Sequence, residues 1–273
     1  MKDAAVSPAP AGSTSPRFVY DLGVLGVDLF VSGRELALVF VRTLYFLVRG
    51  RRDRGAVVRQ MHAIGVESLF FVSITMGFIG MIFVYQSGVQ VRRILPDFSQ
   101  LGATYLELLV RDLAASVGAL ILATRVGAGI AAEIGSMVVT EQIEALRSMG
   151  IEPARYLVVP RLLALLLMLP LLTIFADVIS IVGGGWIAQT YAHISVDTFI
   201  ASVRQTIGIS DVLKGLVKTF VFAIIIAMIG AYQGLTTKGG AAGVGVSTTG
   251  AVVLAIIMIF ISNFTLSFLL FGG

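Results

Sequence analysis

The sequence predicts an all-α integral membrane protein: an N-terminal interfacial helix followed by five transmembrane helices. Apolar residues make up 57% of the 273 positions and charged residues only 13%, far outside the usual composition of soluble proteins. Five apolar runs are each long enough to cross a hydrocarbon layer of about 30 Å as a helix. Short segments that collect most of the charges separate these runs. One membrane domain is therefore expected to use nearly the whole chain.

Composition also limits the kinds of site that the chain can carry. The formal net charge is +4, and its basic excess lies mainly near the N-terminus, which concerns membrane orientation rather than nucleic acid. The sequence has no cysteine, so neither a disulfide nor a thiolate metal site can form. The two histidines, His62 and His193, are too far apart in sequence to suggest a metal pair. We expect no metal site and no nucleic-acid partner.

The chain begins with a segment that carries no predicted span. Residues 1–17 are rich in Ala, Pro and Ser and are expected to form a disordered cytoplasmic tail. In 18–49, charged residues recur every seven positions and so follow one helical stripe: Asp21, Asp28, Glu35, Arg42 and Arg49. A helix with one thin polar stripe favours the membrane surface. We predict an interfacial helix at 18–49, with a spanning helix as the alternative.

An arginine-rich loop then sets the expected orientation. Residues 50–59 hold four bases against a single acid: Arg51, Arg52, Arg54 and Arg59 against Asp53. The positive-inside rule places such a loop in the cytoplasm. The first span is predicted at 66–89, where Gly77 and Gly80 would let another helix approach closely.

The remaining spans are predicted at 106–133, 162–188, 212–233 and 249–271. The second span has small residues at every fourth position, which predicts a flat packing face: Ala123, Gly127, Ala131 and Gly135. The polar segment 193–211 is expected outside, and the glycine-rich segment 234–245 is predicted to be a turn. Five crossings from a cytoplasmic start leave the C-terminus in the periplasm.

A charged segment at 140–161 interrupts the apolar runs and predicts a short cytoplasmic coupling helix at 141–149. Thr140 is a suitable N-cap, and Gly150 is placed to end the helix as the residue after the C-cap. Ile143, Leu146 and Met149 form a narrow apolar stripe. So short a helix is unstable alone, so something must cover the stripe. Either the membrane domain covers it, or the helix enters a groove on a soluble partner.

Ionisable residues within the spans are candidate functional residues, because a charge near the bilayer centre costs about 2.5–3.5 kcal/mol and usually faces a partner or a wet cavity. Arg125 and Asp177 are predicted to form an intramembrane ion pair. Arg111, Asp112 and Lys218 are candidates to line a polar part of a lipid cavity, since a phosphate headgroup needs a cation in an apolar passage. For Arg111, Asp112 and Lys218, structural ion pairing is the alternative.

The sequence contains no candidate site for catalysis or nucleotide binding. A P-loop needs a Gly-Lys pair after a strand, and the glycine-rich 239–250 has no such pair. We therefore expect that this chain is not an enzyme and binds no cofactor. If ATP drives the process, ATP and Mg²⁺ must bind to a separate subunit.

The segment after the second span resembles the MlaE (YrbE-like) permease family. The matching runs are AAEIGSM at 131–137, TEQIEAL at 140–146, MGIEP at 149–153 and YLVVPR at 156–161. The resemblance extends from about Val57 to the C-terminus, which suggests one permease domain at 57–273. These proteins are membrane subunits of ABC transporters that move phospholipids or related lipids in bacteria. The resemblance thus implies a multi-pass protein of the bacterial inner membrane.

The same resemblance implies partners and coupling residues. The partners would be a second copy of the chain, a dimer of ABC ATPase subunits, an MCE-domain protein forming a hexameric ring, and membrane phospholipid. Contact with the ATPase would be made by the coupling helix and its ends: Glu141, Gln142, Glu144, Ala145, Leu146, Met149 and Gly150.

The resemblance further implies a lipid cavity between two copies, open toward the periplasm and walled by the first spans. Its expected lining residues are Ile79, Phe83, Gln86, Ser87 and Gln90, together with Arg111, Asp112 and Lys218. At one position near this expected cavity, the sequence differs from the family pattern. The family's Arg-Glu-Leu-Gly-Pro pattern appears here as RDLAA at 111–115, so the charge pair is kept but the Gly-Pro bend is lost.

Two other functions remain possible from the residues alone. An ion-coupled secondary transporter would use Arg125 and Asp177, but it would show inverted repeats, and no internal repeat is visible. A purely structural membrane subunit is the third possibility.

Overall fold

The computed structural model describes residues 31, 33–47, 49, 53–94 and 107–271, with side chains in the second long range described as far as Val89. Within these residues the chain is helical and has no β-strand. The predicted tail at 1–17 and the first part of the predicted interfacial helix lie outside the described residues. Residues 33–47 are helical, in agreement with the second part of that helix. The predicted all-α fold is confirmed.

Among the described residues, five helices are long and apolar enough to span a membrane, as predicted. We number them span 1 to span 5: Arg54–Val89, Leu109–Val139, Ala154–Tyr191, Ile209–Leu235 and Gly240–Phe271. The helices are longer than the predicted apolar runs. Span 3, for example, begins at Ala154 rather than 162, because its polar first turns are also helical.

The turn predicted at 234–245 is wrong in its extent. Span 4 continues to Leu235 and span 5 already begins at Gly240, so the turn occupies only 236–239. Gly239 and Gly240 have φ angles of +89° and +68°, which only glycine adopts without strain, and they make the reversal. The glycines after them are helical, because a helix satisfies backbone hydrogen bonds that a loop in lipid would leave unpaired.

Spans 1 and 3 pack with almost no side chain between them. A Cβ on Gly80 would lie 2.2 Å from the carbonyl oxygen of Ser180, and one on Gly183 would lie 2.6 Å from that of Gly77. The Ser180 hydroxyl donates to the carbonyl of Met76 at 3.1 Å. The prediction that Gly77 and Gly80 serve close packing is confirmed, and a larger residue at Gly80 would force the backbones apart.

Spans 2 and 4 are also in close contact, along the small-residue face predicted on span 2. A Cβ on Gly230 would lie 3.0 Å from the Gly127 carbonyl oxygen, and one on Gly234 would lie 3.1 Å from that of Ala131. At the end of this face, a Cβ on Gly135 would lie 2.8 Å from Thr237 Oγ1. The central bundle is therefore built from two glycine-mediated helix pairs.

A π-helical turn occurs near one end of spans 1, 2 and 3 and once more inside span 2. The four turns are His62–Val66, Leu109–Leu113, Ala123–Gly127 and Ala154–Val158. Such turns are common at functional sites. One holds Arg111 and Asp112, and another holds Arg125. The helix therefore departs from regular α-helical geometry at 109–113, directly before Ala114 and Ala115, which stand where the resembled pattern has Gly-Pro.

The segment predicted to lie outside at 193–211 contains a short amphipathic helix, Val196–Thr206. The Ser195 hydroxyl caps this helix by accepting a hydrogen bond from the amide of Thr198 at 3.2 Å. Phe199 and Val203 are buried against Val84 and Ala188, so the helix covers one end of the pair formed by spans 1 and 3.

Candidate functional site

A buried polar cluster joins spans 2, 4 and 5. The ammonium of Lys218, which is fully buried, donates to Asp112 Oδ1 at 2.5 Å, to Ser267 Oγ at 2.7 Å and to the Arg111 carbonyl at 3.3 Å. Ser267 also donates to the same Asp112 oxygen at 2.8 Å, and Asn263 Nδ2 donates to the other at 3.3 Å. We call these residues the Lys218 cluster: Lys218, Asp112, Ser267 and Asn263.

Arg111 lies at the edge of this cluster and is only partly buried. Its guanidinium contacts Glu107, approaches Asp211 Oδ1 at 3.5 Å and lies 4.2 Å from the ring centroid of Phe271. About a third of the side chain remains exposed (31%). The structure thus brings together Arg111, Asp112 and Lys218, which the sequence predicted as one polar site.

The cluster changes which of these residues can meet a ligand. Lys218 uses its three donors within the protein, so it has none left for a phosphate. Arg111 keeps an exposed edge and is the member of the three that a headgroup can reach. Sequence reasoning missed Asn263 and Ser267. They lie four residues apart and so share one face of span 5, within the polar group Ser262, Asn263, Thr265 and Ser267, a signal that could have identified them.

The predicted ion pair between Arg125 and Asp177 is wrong. Arg125 instead donates to Glu67 Oε2 at 2.8 Å and to Ser68 Oγ at 2.5 Å, both on span 1. Asp177 is buried, and its Oδ1 has no hydrogen-bond partner. Arg125 faces span 1 at this depth because of the rotation of its helix, which sequence alone does not specify. The ion-coupled alternative therefore loses the pair on which it was based.

The residues predicted to line a lipid cavity on span 1 do not all share one environment. Ile79 and Phe83 are half-buried and Gln86 is exposed, which leaves them on an open flank of the helix. Ser87 is fully buried, and its hydroxyl donates to the Val84 carbonyl at 2.8 Å, so it belongs to the packed face instead. The side chain of Gln90 lies outside the described residues.

The predicted coupling helix is formed by Gln142–Ser148, and we call it the connecting helix. Its C-terminus is as predicted. Gly150 has φ +74°, its amide donates to the Arg147 carbonyl, and the amide of Ile151 donates to that of Leu146, both at 2.9 Å. These two bonds make a Schellman motif.

The predicted N-cap, however, is wrong. The N-cap position is held by Glu141, which has a left-handed φ of 59°, while the Thr140 hydroxyl donates back to the Ser136 carbonyl at 2.8 Å. A left-handed residue other than glycine is strained. The chain accepts this strain at the sharp reversal from span 2 into the connecting helix.

The apolar stripe of the connecting helix is divided between two environments. Ile143 is buried in the protein, Leu146 is half-buried, and Met149 is 66% exposed. The predicted covering by the membrane domain therefore holds for the start of the stripe, while covering by a soluble partner stays a prediction. The membrane domain covers its start, and the described residues leave its end open.

The structure shows no group of three or more His, Cys, Asp or Glu side chains suited to a metal among the residues that it describes. The polar sites found here are a buried charge cluster, a half-exposed ion pair and a short helix with an open apolar end.

Comparison with known proteins agrees with this architecture. The family described as Permease MlaE matches residues 57–269. The chain is 44% identical over 248 residues to a probable ABC transporter permease protein of Synechocystis sp., covering 88% of this chain and 92% of that protein. It is 35% identical over 260 residues to a probable ABC transporter permease protein of Rickettsia typhi, covering 95% and 96%.

A plant relative extends the comparison. The protein TRIGALACTOSYLDIACYLGLYCEROL 1, chloroplastic, of Arabidopsis thaliana is 31% identical over 241 residues, which covers 88% of this chain and 69% of that protein. The family match at 57–269 covers the connecting helix and spans 2 to 4 in full, together with nearly all of spans 1 and 5. The chain therefore belongs to the MlaE permease family and is an ABC transporter permease subunit, not itself an enzyme.

Proposed function

We propose that this chain moves phospholipid or a related lipid between the bacterial inner membrane and an MCE-type partner in the periplasm, driven by a separate ATPase subunit. The observation that carries the proposal is the connecting helix. It is fixed at both ends, buried at Ile143 and open at Met149. A rigid helix with an open apolar end suits a groove on a soluble protein.

The mechanical argument follows from the elements that the connecting helix joins. Span 2 enters it through the left-handed Glu141, and span 3 leaves it after the Schellman motif at Gly150. Span 3 is in turn packed backbone to backbone on span 1. An ATPase that moves the connecting helix would therefore also move spans 1 and 3.

Lipid is the proposed cargo for two reasons. Ile79, Phe83 and Gln86 give span 1 an open flank that is apolar with a polar end, and Arg111 offers an exposed guanidinium in a membrane span. The plant relative bears the name of a glycerol-based lipid. An amphipathic molecule with an anionic headgroup would fit both features.

The orientation and assembly are proposed from charge and exposure. Many of the bases lie at the end of the bundle that carries the connecting helix, which supports a cytoplasmic position for that end. Span 5 presents Phe260, Phe264 and Phe268 as exposed side chains, and a second copy of the chain or lipid would cover them. The C-terminus would then face the periplasm.

The docking role can be tested by Leu146→Asp. A charge in the half-buried part of the stripe should abolish copurification with the ATPase and leave the membrane domain folded, because the change lies on the surface. Ser148→Asp is the matched control, since it adds the same charge to an exposed position of the same helix. Equal ATPase binding by wild type and Leu146→Asp would contradict the docking role.

The orientation has its own experiment. A cysteine placed at Ser148, in a chain that otherwise has none, should react only with reagents that reach the cytoplasm. Labelling by a reagent confined to the periplasm would overturn the proposed topology. A cysteine at Thr198 on the amphipathic helix should show the opposite pattern and serves as the reference.

A further inference from the structure

A cleft of about 860 Å³ opens at the same end of the bundle as the connecting helix. One wall comes from the first turns of span 1, including Arg59, Gln60 and Ala63, and the other from the start of span 3, including Arg155, Tyr156 and Leu163. Its volume is within the usual range of ligand pockets, about 300–1,000 Å³. Of the residues to which a role is assigned above, only Gly150, at the end of the connecting helix, lines this cleft.

The polar part of the cleft contains a buried guanidinium. The Arg161 side chain is only 5% exposed, and its Nη2 lies 2.6 Å from Glu133 Oε1 while Nη1 donates to the Leu157 carbonyl at 2.8 Å. These two contacts hold the side chain in place. Its Nε has no hydrogen-bond partner among the described residues. A buried donor without a partner calls for an explanation, and a water or ligand group in the cleft beside it would supply one.

The charges on the cleft walls favour an anion. All three acids of the lining are engaged: Glu133 with Arg161, Glu152 with Arg42 at 3.4 Å, and Asp53 with the helix amides of Gly55 and Ala56. Arg59 and Arg155, by contrast, are exposed and form no ion pair with another described residue. Arg59 and Arg155 thus outweigh the single charge of Asp53, and the cleft keeps a net positive charge for a ligand.

The apolar part of the cleft indicates what kind of anion would enter. Phe46, Ala63 and Leu163 supply apolar surface beside the arginines, and Tyr156, which is 56% exposed, is of the type found where membrane meets water. The neighbouring Val58 is 63% exposed, as expected for a side chain that faces lipid. A ligand with both a phosphate and a hydrocarbon chain would use both parts of the cleft.

We propose that this cleft binds the phosphate headgroup of an anionic phospholipid, with Arg59 and Arg155 on the phosphate and Arg161 behind it. Guanidinium groups match the geometry of phosphate oxygens and are weakly hydrated, so they suit this contact. The site is separate from the open flank of span 1. From Gln60 to Phe83 the helix rises about 35 Å, slightly more than the bilayer core of about 30 Å. The proposal does not depend on the transport function proposed above.

Photocrosslinking tests the site directly. The full chain is reconstituted in nanodiscs with phosphatidylglycerol that carries a diazirine near its headgroup, and labelled peptides are mapped by mass spectrometry. We expect labels within 56–63 and 150–163. In the double variant Arg59→Gln/Arg155→Gln, labelling of these peptides should fall by about tenfold, because two charge-assisted contacts are lost. Both side chains are exposed, so the variant should fold.

The control is Lys238→Gln, which removes one exposed cation from the same end of the bundle but not from the cleft. It should label as the wild type does. Equal labelling of the double variant and Lys238→Gln would overturn the proposal. So would labels that map only to other parts of the chain.

A competition experiment distinguishes lipid from free anion. Short-chain phosphatidylglycerol should displace the probe, whereas diacylglycerol, which lacks the phosphate, and inorganic phosphate, which lacks the chains, should not do so at the same concentration. Displacement by inorganic phosphate as effective as that by the short-chain lipid would show a simple anion site and overturn the lipid assignment.

Discussion

Lys218 and Asp177 are both ionisable side chains buried within membrane spans, and the structure surrounds them in opposite ways. Lys218 donates to a carboxylate, a hydroxyl and a carbonyl from two other spans. Asp177 has a buried oxygen with no hydrogen-bond partner in the part of the chain that the structure describes. Burial of a charge is costly unless hydrogen bonds and an opposite charge compensate for it. Lys218 therefore stabilises the contact between its helix and two others, whereas the burial of Asp177 lowers the stability of the fold.

The largest expected effect comes from breaking the compensated site. Lys218→Met should lower the free energy of unfolding by about 3–5 kcal/mol, because Asp112 would keep its charge without its cation. Chemical denaturation in detergent, followed by circular dichroism, measures this. The double variant Lys218→Met/Asp112→Leu should recover most of the loss. A single variant as stable as wild type would show that the Lys218 cluster does not hold spans 2 and 4 together.

An opposite and smaller effect is expected at the uncompensated site. Asp177→Asn should raise the free energy of unfolding by about 1 kcal/mol, because an amide is less costly to bury without partners than a carboxylate. The same denaturation experiment measures the change, with Asp177→Ala as a control for volume. A loss of stability in the Asn variant would mean that the carboxylate has a favourable role that its surroundings do not reveal.

The ion pair of Arg125 and Glu67 is compensated but partly exposed to water, and its loss should give the smallest effect of the three. The Glu67 side chain is 52% exposed and that of Arg125 is 32% exposed, so water or a partner can reach both. Glu67→Gln should lower stability by about 1 kcal/mol or less, as for a surface pair. If the loss matches that of Lys218→Met, a second copy or lipid must bury this pair in the membrane.

These contrasts show which parts of the fold were predictable. The five spans followed from apolar length, since a bilayer requires about twenty apolar residues per helix. Their ends did not follow, because Arg161 is polar in sequence but buried within span 3 through its pair with Glu133. The turn at 234–245 was predicted too long, because glycine can serve tight helix packing as well as reversals.

The sequence also predicted only part of the candidate site. The sequence identified Arg111, Asp112 and Lys218 as a group, because charges in apolar runs are few and need one another. It chose the wrong partner for Arg125, because the choice depends on how each helix is rotated about its axis. Glu67 was overlooked since it stands at the beginning of the predicted span 66–89, where an acid is unremarkable. The π-turns at Leu109–Leu113 and Ala123–Gly127 shift that rotation further, and no periodicity reveals them.

The contact of Gly80 with the Ser180 carbonyl has a consequence for how motion spreads through the membrane. Two helices separated by side chains can slide, because rotamers adjust, but two backbones in direct contact cannot. Spans 1 and 3 should thus move as a single rigid body that is as long as the bilayer is thick. A tilt of this body imposed at its end near Gly150 would displace Phe83 and Gln86 at the opposite end, across the membrane.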